Sequence, residues 1–183
     1  MPLPITVPAR ELFDPKTNLF ITVKEQKILL EHSLLSISKW ESKWHKPYLS
    51  KEAKTEEESI DYIRCMCIYP KEVDDKVFMA FTSENVKAIA DYIADPMTAT
   101  TFHNQEQKPP SREIITSELV YFWMANFRIP FDPCEKWHFN RLMTLIEIAS
   151  IKNQPPKKMS KRDIMSQNAM LNAQRRAKMK SKG

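Results

Sequence analysis

This chain is almost without glycine: the only one among 183 residues is Gly183. Glycine-rich phosphate loops, dinucleotide-binding fingerprints and the glycine-flanked nucleophile elbow are therefore not available to it. Tight turns that need a positive φ must use Asn or Asp, or be avoided. Such a chain suits helices joined by proline-containing loops, and 13 prolines are present to punctuate it. The expected fold class is mainly α, of α+β type.

The organising stretch runs from Ser111 to Asn153 and reads as two helices joined by a proline-marked bend. In the first, Ile115, Leu119, Phe122 and Phe127 recur at near-helical spacing, and Val120, Trp123 and Met124 widen the stripe. In the second, Phe139, Leu142, Ile146 and Ala149 form an apolar row opposite Lys136, Asn140, Thr144 and Glu147. Pro130 and Pro133 lack an N–H and clash with a preceding turn, so the chain folds back between them as a helical hairpin. Ser111 is positioned to cap it. Leu119, Phe122, Trp123, Trp137, Leu142 and Ile146 are the expected core of this hairpin, with both tryptophans largely buried.

Residues 3–30 are the strand-like part. LPITV and LFITV flank ARELFDPKTN, where Asp14-Pro15 and Asn18 signal a turn, and KILLEH can add a third strand. This predicts a small β-hairpin or three-stranded sheet that caps the helical body, the alternative being an exposed edge that pairs with a partner or a second copy. Ser33 caps a helix in which Ile37, Trp40 and Trp44 form an aromatic seam, ended by His45-Lys46-Pro47. The seam is read first as core, and second as a partner anchor, because Trp is enriched in binding hot spots. Thr55 to Glu58 is a capping box opening a helix with Ile60, Ile63 and Cys67 as its buried stripe. Thr82 or Ser83 caps another, with Val86, Ile89, Ala90 and Ile93 inward and Asp95-Pro96 as its stop.

After Asn153, Gln154-Pro155-Pro156 breaks the structure. Ser160, with Asp163 three residues on, then starts a thinly amphipathic helix. From Lys152 onward there are 10 Lys/Arg and one acidic residue, net +9, leaving 18 basic and 22 acidic groups before it, net −4. The domain expectation is a globular body over 1–153 (β-rich 1–30, helical 33–153) and a basic tail over 154–183. That tail is a solvated segment, a partner-binding arm or a nucleic-acid arm. As a partner arm its contacts would be Ile164, Met165 and Leu171, with Lys157, Lys158, Lys161, Arg162, Arg175 and Arg176 supplying charge. It holds no aromatic residue for stacking on bases, which disfavours nucleic acid.

The residues offer little chemistry. Three cysteines, two of them at Cys65 and Cys67, lack CxxC spacing, so neither a disulfide framework nor a metal or cofactor site is expected. His138 with Arg141 reads as a structural pair on one helix face, and Glu31-His32-Ser33 as contiguity without triad geometry. No apolar run approaches the ~20 residues of a membrane span, and MPLPITVPARELF lacks a signal-peptide pattern.

The run ELVYFWMANFRIPF, then WHFNRLMTLIEIASIKN and PPKKMSKRDIMSQNAMLNAQRRAK, resembles the tail assembly chaperones of long-tailed, siphovirus-like bacteriophages. LEHSLLSISKWESKWHKPYLSKE, IDYIRCM, and DPMTATTF followed by PSREIIT extend the resemblance over roughly residues 28–183. It implies a non-catalytic assembly factor in the host cytoplasm that binds the tape measure protein or another tail protein, in some cases also made in a longer, frameshifted form. A homo-oligomer is a further partner to consider. The alternatives are a structural component of the tail or connector, and a regulator that binds nucleic acid through the basic tail.

Overall fold

In the computed structural model, residues 1–14, 18–102, 113–153 and 161–179 are described. Helices predominate, beside two small antiparallel sheets, so the chain is α+β. It divides into two compact units, Met1–Ser150 and Ile151–Gly183.

The first unit begins with four short strands, β1 (Leu3–Val7), β2 (Arg10–Asp14), β3 (Leu19–Val23) and β4 (Gln26–Leu30). KILL is a strand as expected, but RELFD is one too, and the pairing is nested. β2 pairs with β3 as a hairpin, in register Leu12↔Ile21, while β1 pairs with β4, in register Ile5↔Ile28. The third strand of the larger sheet is β5 (Cys67–Tyr69), which follows the second helix and completes the order β1-β4-β5. Alternation puts Ile5, Val7, Ile28 and Leu30 into the core. The Asn85 amide, from the fourth helix, donates to the Thr6 carbonyl at 3.3 Å and so occupies one acceptor of the edge strand β1.

Helix α1 (Leu34–Trp44) starts at Ser33, whose Oγ accepts the Ser36 amide at 3.2 Å, and ends at His45, left-handed at φ 52. Helix α2 (Glu56–Met66) carries the expected capping box, Thr55 with Glu58. After α3 (Asp75–Met79), α4 (Ser83–Ala94) is capped by Thr82 and Asn85 and stops at Asp95. Positive φ falls on Asn18 as expected, but also on His45, Met97 and Arg128. His45, Met97 and Arg128, unlike asparagine, thus bear a conformation that costs about 1–2 kcal/mol each.

Helix α5 (Ser117–Asn126) is capped by Thr116; Ser111 lies outside the described residues. Its end is a Schellman turn: Ile129 N–H donates to Met124 C=O at 2.8 Å and Arg128 N–H to Ala125 C=O at 3.1 Å. Arg128, not proline, therefore stops α5. Pro130 then leads into the short α6 (Phe131–Cys134), and α7 (Phe139–Asn153) follows. The second unit contributes α8 (Lys161–Met179).

Several inward faces differ from the sequence reading. On α5 the buried residues are Ser117, Val120 and Met124, at i, i+3 and i+7, in a helix that packs on α1. Phe122, expected in the core, is 64% exposed, and Leu119 is only partly buried. A helix apolar on nearly every side has no periodicity to say which face turns in. Leu142 and Ile146 are core residues as expected, whereas Trp123 and Trp137 pack against the core while only partly buried. On α2 the buried residues are Glu58, Asp61, Tyr62 and Met66, while Ile60 and Ile63 are half-buried and Cys67 belongs to β5. On α4 they are Ile89 and Tyr92, with Val86 exposed.

Candidate functional site

Two features of the first unit and one of the second bear on function. The first is a polar brace inside the body. Glu31, His32 and Ser33, between β4 and α1, are all buried. Glu31 accepts the Tyr92 hydroxyl at 2.6 Å, and Nδ1 of His32 is hydrogen-bonded to the Tyr62 hydroxyl at 2.5 Å. The backbone of the same segment joins α7, through Phe139 N–H to His32 C=O at 2.7 Å, and α2, through Glu31 N–H to Met66 C=O at 2.9 Å. The His32 ring meets the His138 ring edge-on at 5.1 Å between centroids.

His138 donates from Nε2 to the Tyr92 carbonyl at 3.0 Å and accepts the Asn140 amide on Nδ1 at 3.3 Å. Those two partners select the neutral Nε2–H tautomer. Arg141 is not its companion: the guanidinium lies 4.5 Å from the Trp137 ring centroid. Burial, with His138 beside it, pushes the His32 pKa down to about 3, and burial lowers that of His138 as well. These residues tie α2, α4 and α7 to one loop, and each polar atom named is directed at a partner within the fold.

Buried carboxylates complete the brace. Asp61 accepts from Lys43 at 2.5 Å, Arg64 at 2.7 Å and Nε1 of Trp44 at 2.9 Å. Burial pushes its carboxyl up, but those three donors outweigh it and hold the pKa below the ordinary value. Lys46, with the Thr55 amide, holds that of Glu58 down as well. Trp40 is 1% exposed and donates from Nε1 to the Glu58 carbonyl at 2.9 Å, and Trp44 stacks on it. Trp40 is therefore a core residue and not a partner anchor, whereas Trp44 packs against the core while only partly buried. A count of apolar positions does not find Glu58 and Asp61, because their burial depends on Lys46 and Lys43, which lie outside α2, 12 and 18 residues away in sequence.

The second feature is a groove of about 420 Å³ between α5 and α7. It is lined by the apolar Trp123, Phe127, Met143 and Ile146 and by the polar Asn140, Thr144, Glu147 and Ser150. Part of the stripe expected in the core, Phe127 with Trp123, thus lines a surface groove. A charged cleft of about 930 Å³ on α2, lined by Lys43, Glu56, Glu57, Asp61, Arg64 and Asp75 among others, is a further concavity.

The third is α8. Arg162, Met165, Leu171, Arg175 and Arg176 are on this helix and exposed, Met165 at 73% and Leu171 at 44%. Lys157, Lys158 and Ser160 lie outside the described residues, as do the side chains of Lys161 and Ile164. Among the described residues, no group of three or more His, Cys, Asp or Glu is arranged to hold a metal ion, and no helix is long and apolar enough to cross a membrane.

Comparison with known proteins adds no relative: no family model, no curated protein and no solved structure matches this chain.

Proposed function

We propose that this protein is a non-catalytic tail assembly chaperone of a long-tailed bacteriophage, acting in the host cytoplasm to keep the tape measure protein soluble while the tail is built. The observation that carries this reading is α8, a 19-residue helix whose described side chains are all exposed. A single helix in water is marginal and gains its order from a surface to lie on. Met165, Met170 and Leu171 offer it apolar contacts, 65% exposed at Met170, and methionine adapts to imperfectly matched partners. Lys157, Lys158, Lys161, Arg162, Arg175 and Arg176 speed encounter with an acidic partner and make it salt-dependent. The resemblance of residues 28–183 to tail assembly chaperones supplies the partner. In this reading the α5–α7 helical hairpin is the base of the body, and the tail is the arm that reaches the client.

The test is co-expression of the tape measure protein with the full chain and with a Met165→Glu/Leu171→Glu variant. The intact chain keeps the client soluble, and the variant loses most of that effect. Equal solubilisation by both removes the tail from the mechanism. Mass spectrometry of purified particles separates the chaperone reading from a structural one, which requires fixed stoichiometry in the virion.

A further inference from the structure

We infer that His138 is an acid-released clasp: its imidazole caps α7 at neutral pH, and a proton on the same ring nitrogen undoes the cap and frees the first turn of α7 from the body. The inference goes beyond the assembly role and does not depend on α8.

His138 stands immediately before α7, and its carbonyl accepts the Leu142 amide, the first bond of the helix ladder, at 3.1 Å. That makes it the N-cap residue. Such residues are ordinarily Ser, Thr, Asp or Asn, as Ser33, Thr55, Thr82 and Thr116 are elsewhere in this chain. Here Nδ1 of an imidazole accepts the Asn140 amide, two residues on, at 3.3 Å. The other ring nitrogen is committed, since Nε2 carries the hydrogen donated to the Tyr92 carbonyl at 3.0 Å. The one basic site left on the ring is therefore the lone pair that caps the helix. A proton and the Asn140 amide compete for it. Protonation leaves that amide without its acceptor and sets a positive charge at the positive end of the helix dipole.

The surroundings decide how readily the ring takes that charge. The His32 ring, from the loop between β4 and α1, lies 5.1 Å away edge-on, and the Tyr92 ring of α4 lies 4.9 Å away. Glu31 and Asp95 face His138 with negative charge and the Met1 amino group with positive charge, while Arg141 of α7 itself is turned onto Trp137. Burial prevails over the two carboxylates and the Tyr92 bond, so the native ring holds a proton less readily than an imidazole in water. Opening the first turn hydrates the ring and restores its ordinary affinity near pH 6.5. Below that pH the open form binds a proton that the closed form does not. Opening therefore grows as pH falls, by up to about tenfold per pH unit. The release is local: Phe139 N–H leaves the His32 carbonyl and the short bridge between Ser33 and His138 parts, whereas the β1–β4 ladder includes none of these groups.

The test is hydrogen exchange of the full chain, followed by NMR and expressed as protection factors, which removes the intrinsic pH dependence of exchange. From pH 7 to 5, protection at Phe139, Asn140 and Leu142 is expected to fall about tenfold or more, and to stay below that of Ile5 and Ile28 throughout. His138→Asn supplies an N-cap that does not titrate, and its first-turn protection is expected to stay within about threefold over the same range. His32 remains in that variant, so a fall as steep as the parent's there belongs to another group and overturns the inference. So does a parent whose first turn is unchanged by pH, or one whose first turn is as protected as Ile5 and Ile28, because opening is then global. Ring 15N shifts of His138 in the parent keep the question decidable if His138→Asn fails to fold. The neutral ring is expected as the Nε2–H tautomer, with Nδ1 gaining the proton as Asn140 loses protection. An Nδ1–H tautomer at neutral pH overturns the inference.

Discussion

Glu41 lies on α1 yet governs where α5 sits, and its removal gives the sharpest test of the packing. The side chain is 8% exposed. One carboxylate oxygen accepts the Tyr48 amide and the other the Ser117 amide, both at 2.8 Å. Ser117 opens α5, so its N–H has no acceptor within the helix, and a carboxylate there also meets the positive end of the helix dipole. Hydrogen bonds to a charged acceptor contribute about 1.5–3 kcal/mol each, and Glu41→Ala strands both amides, for a loss of about 3–6 kcal/mol. Glu41→Gln keeps one acceptor oxygen and turns an NH2 toward the other amide, for about half that loss. With an m-value near 2 kcal/mol/M, the urea midpoint falls by roughly 1.5–3 M in the alanine variant. The Ser117 and Tyr48 amides lose hydrogen-exchange protection in the same variant. Because α5 carries one wall of the groove, displacement of this helix also loosens the site. If both variants unfold within about 0.5 kcal/mol of the parent, α5 is not held by Glu41 and the packing is wrong.

The buried histidines set an acid sensitivity. His32 titrates near 6.5 when unfolded and near 3 when folded, so between those values the unfolded chain binds a proton that the native one does not. Stability therefore falls as pH drops below about 6.5, by about 1.4 kcal/mol per unit from this residue and about 2 kcal/mol by pH 5. His138 adds to the fall in the same direction. Urea midpoints measured between pH 7 and 5 check this, and a flat profile contradicts it. Trp40→Phe removes the indole donor to the Glu58 carbonyl and costs about 0.5–1.5 kcal/mol, whereas Phe122→Ser leaves the stability within about 0.5 kcal/mol of the parent. An equal loss in both restores Phe122 to the core and refutes the orientation of α5.

Much of the element order was legible because its signals are local. Ser33, Thr55 and Thr82 cap helices by bonding amides three residues on, so the sequence window holds both partners. Strand character over residues 3–30 is local in the same sense, while the break expected at Gln154-Pro155-Pro156 lies outside the described residues. The nested pairing of β1 with β4 and the arrival of β5 from beyond α2 are not, since alternation identifies strands without naming their neighbours. The α5–α7 groove left one trace in the sequence, the excess of aromatics on α5, and that excess reads equally as core.

The sequence by itself thus determined where α1, α2 and α4 begin, which segment is basic, and that phosphate-cradling glycine loops are out of reach. Tertiary structure alone decided which way α5 faces, because its hydrophobicity has no preferred side and only the fit of Ser117, Val120 and Met124 against α1 breaks the tie. It also decided that Glu41, Glu58 and Asp61 go inside. A carboxylate is stable there only when its donors arrive with it. Those donors are the amides of Tyr48 and Ser117 and the side chains of Lys43, Trp44, Lys46 and Arg64. Most come from other elements, and folding is what brings them to the same place.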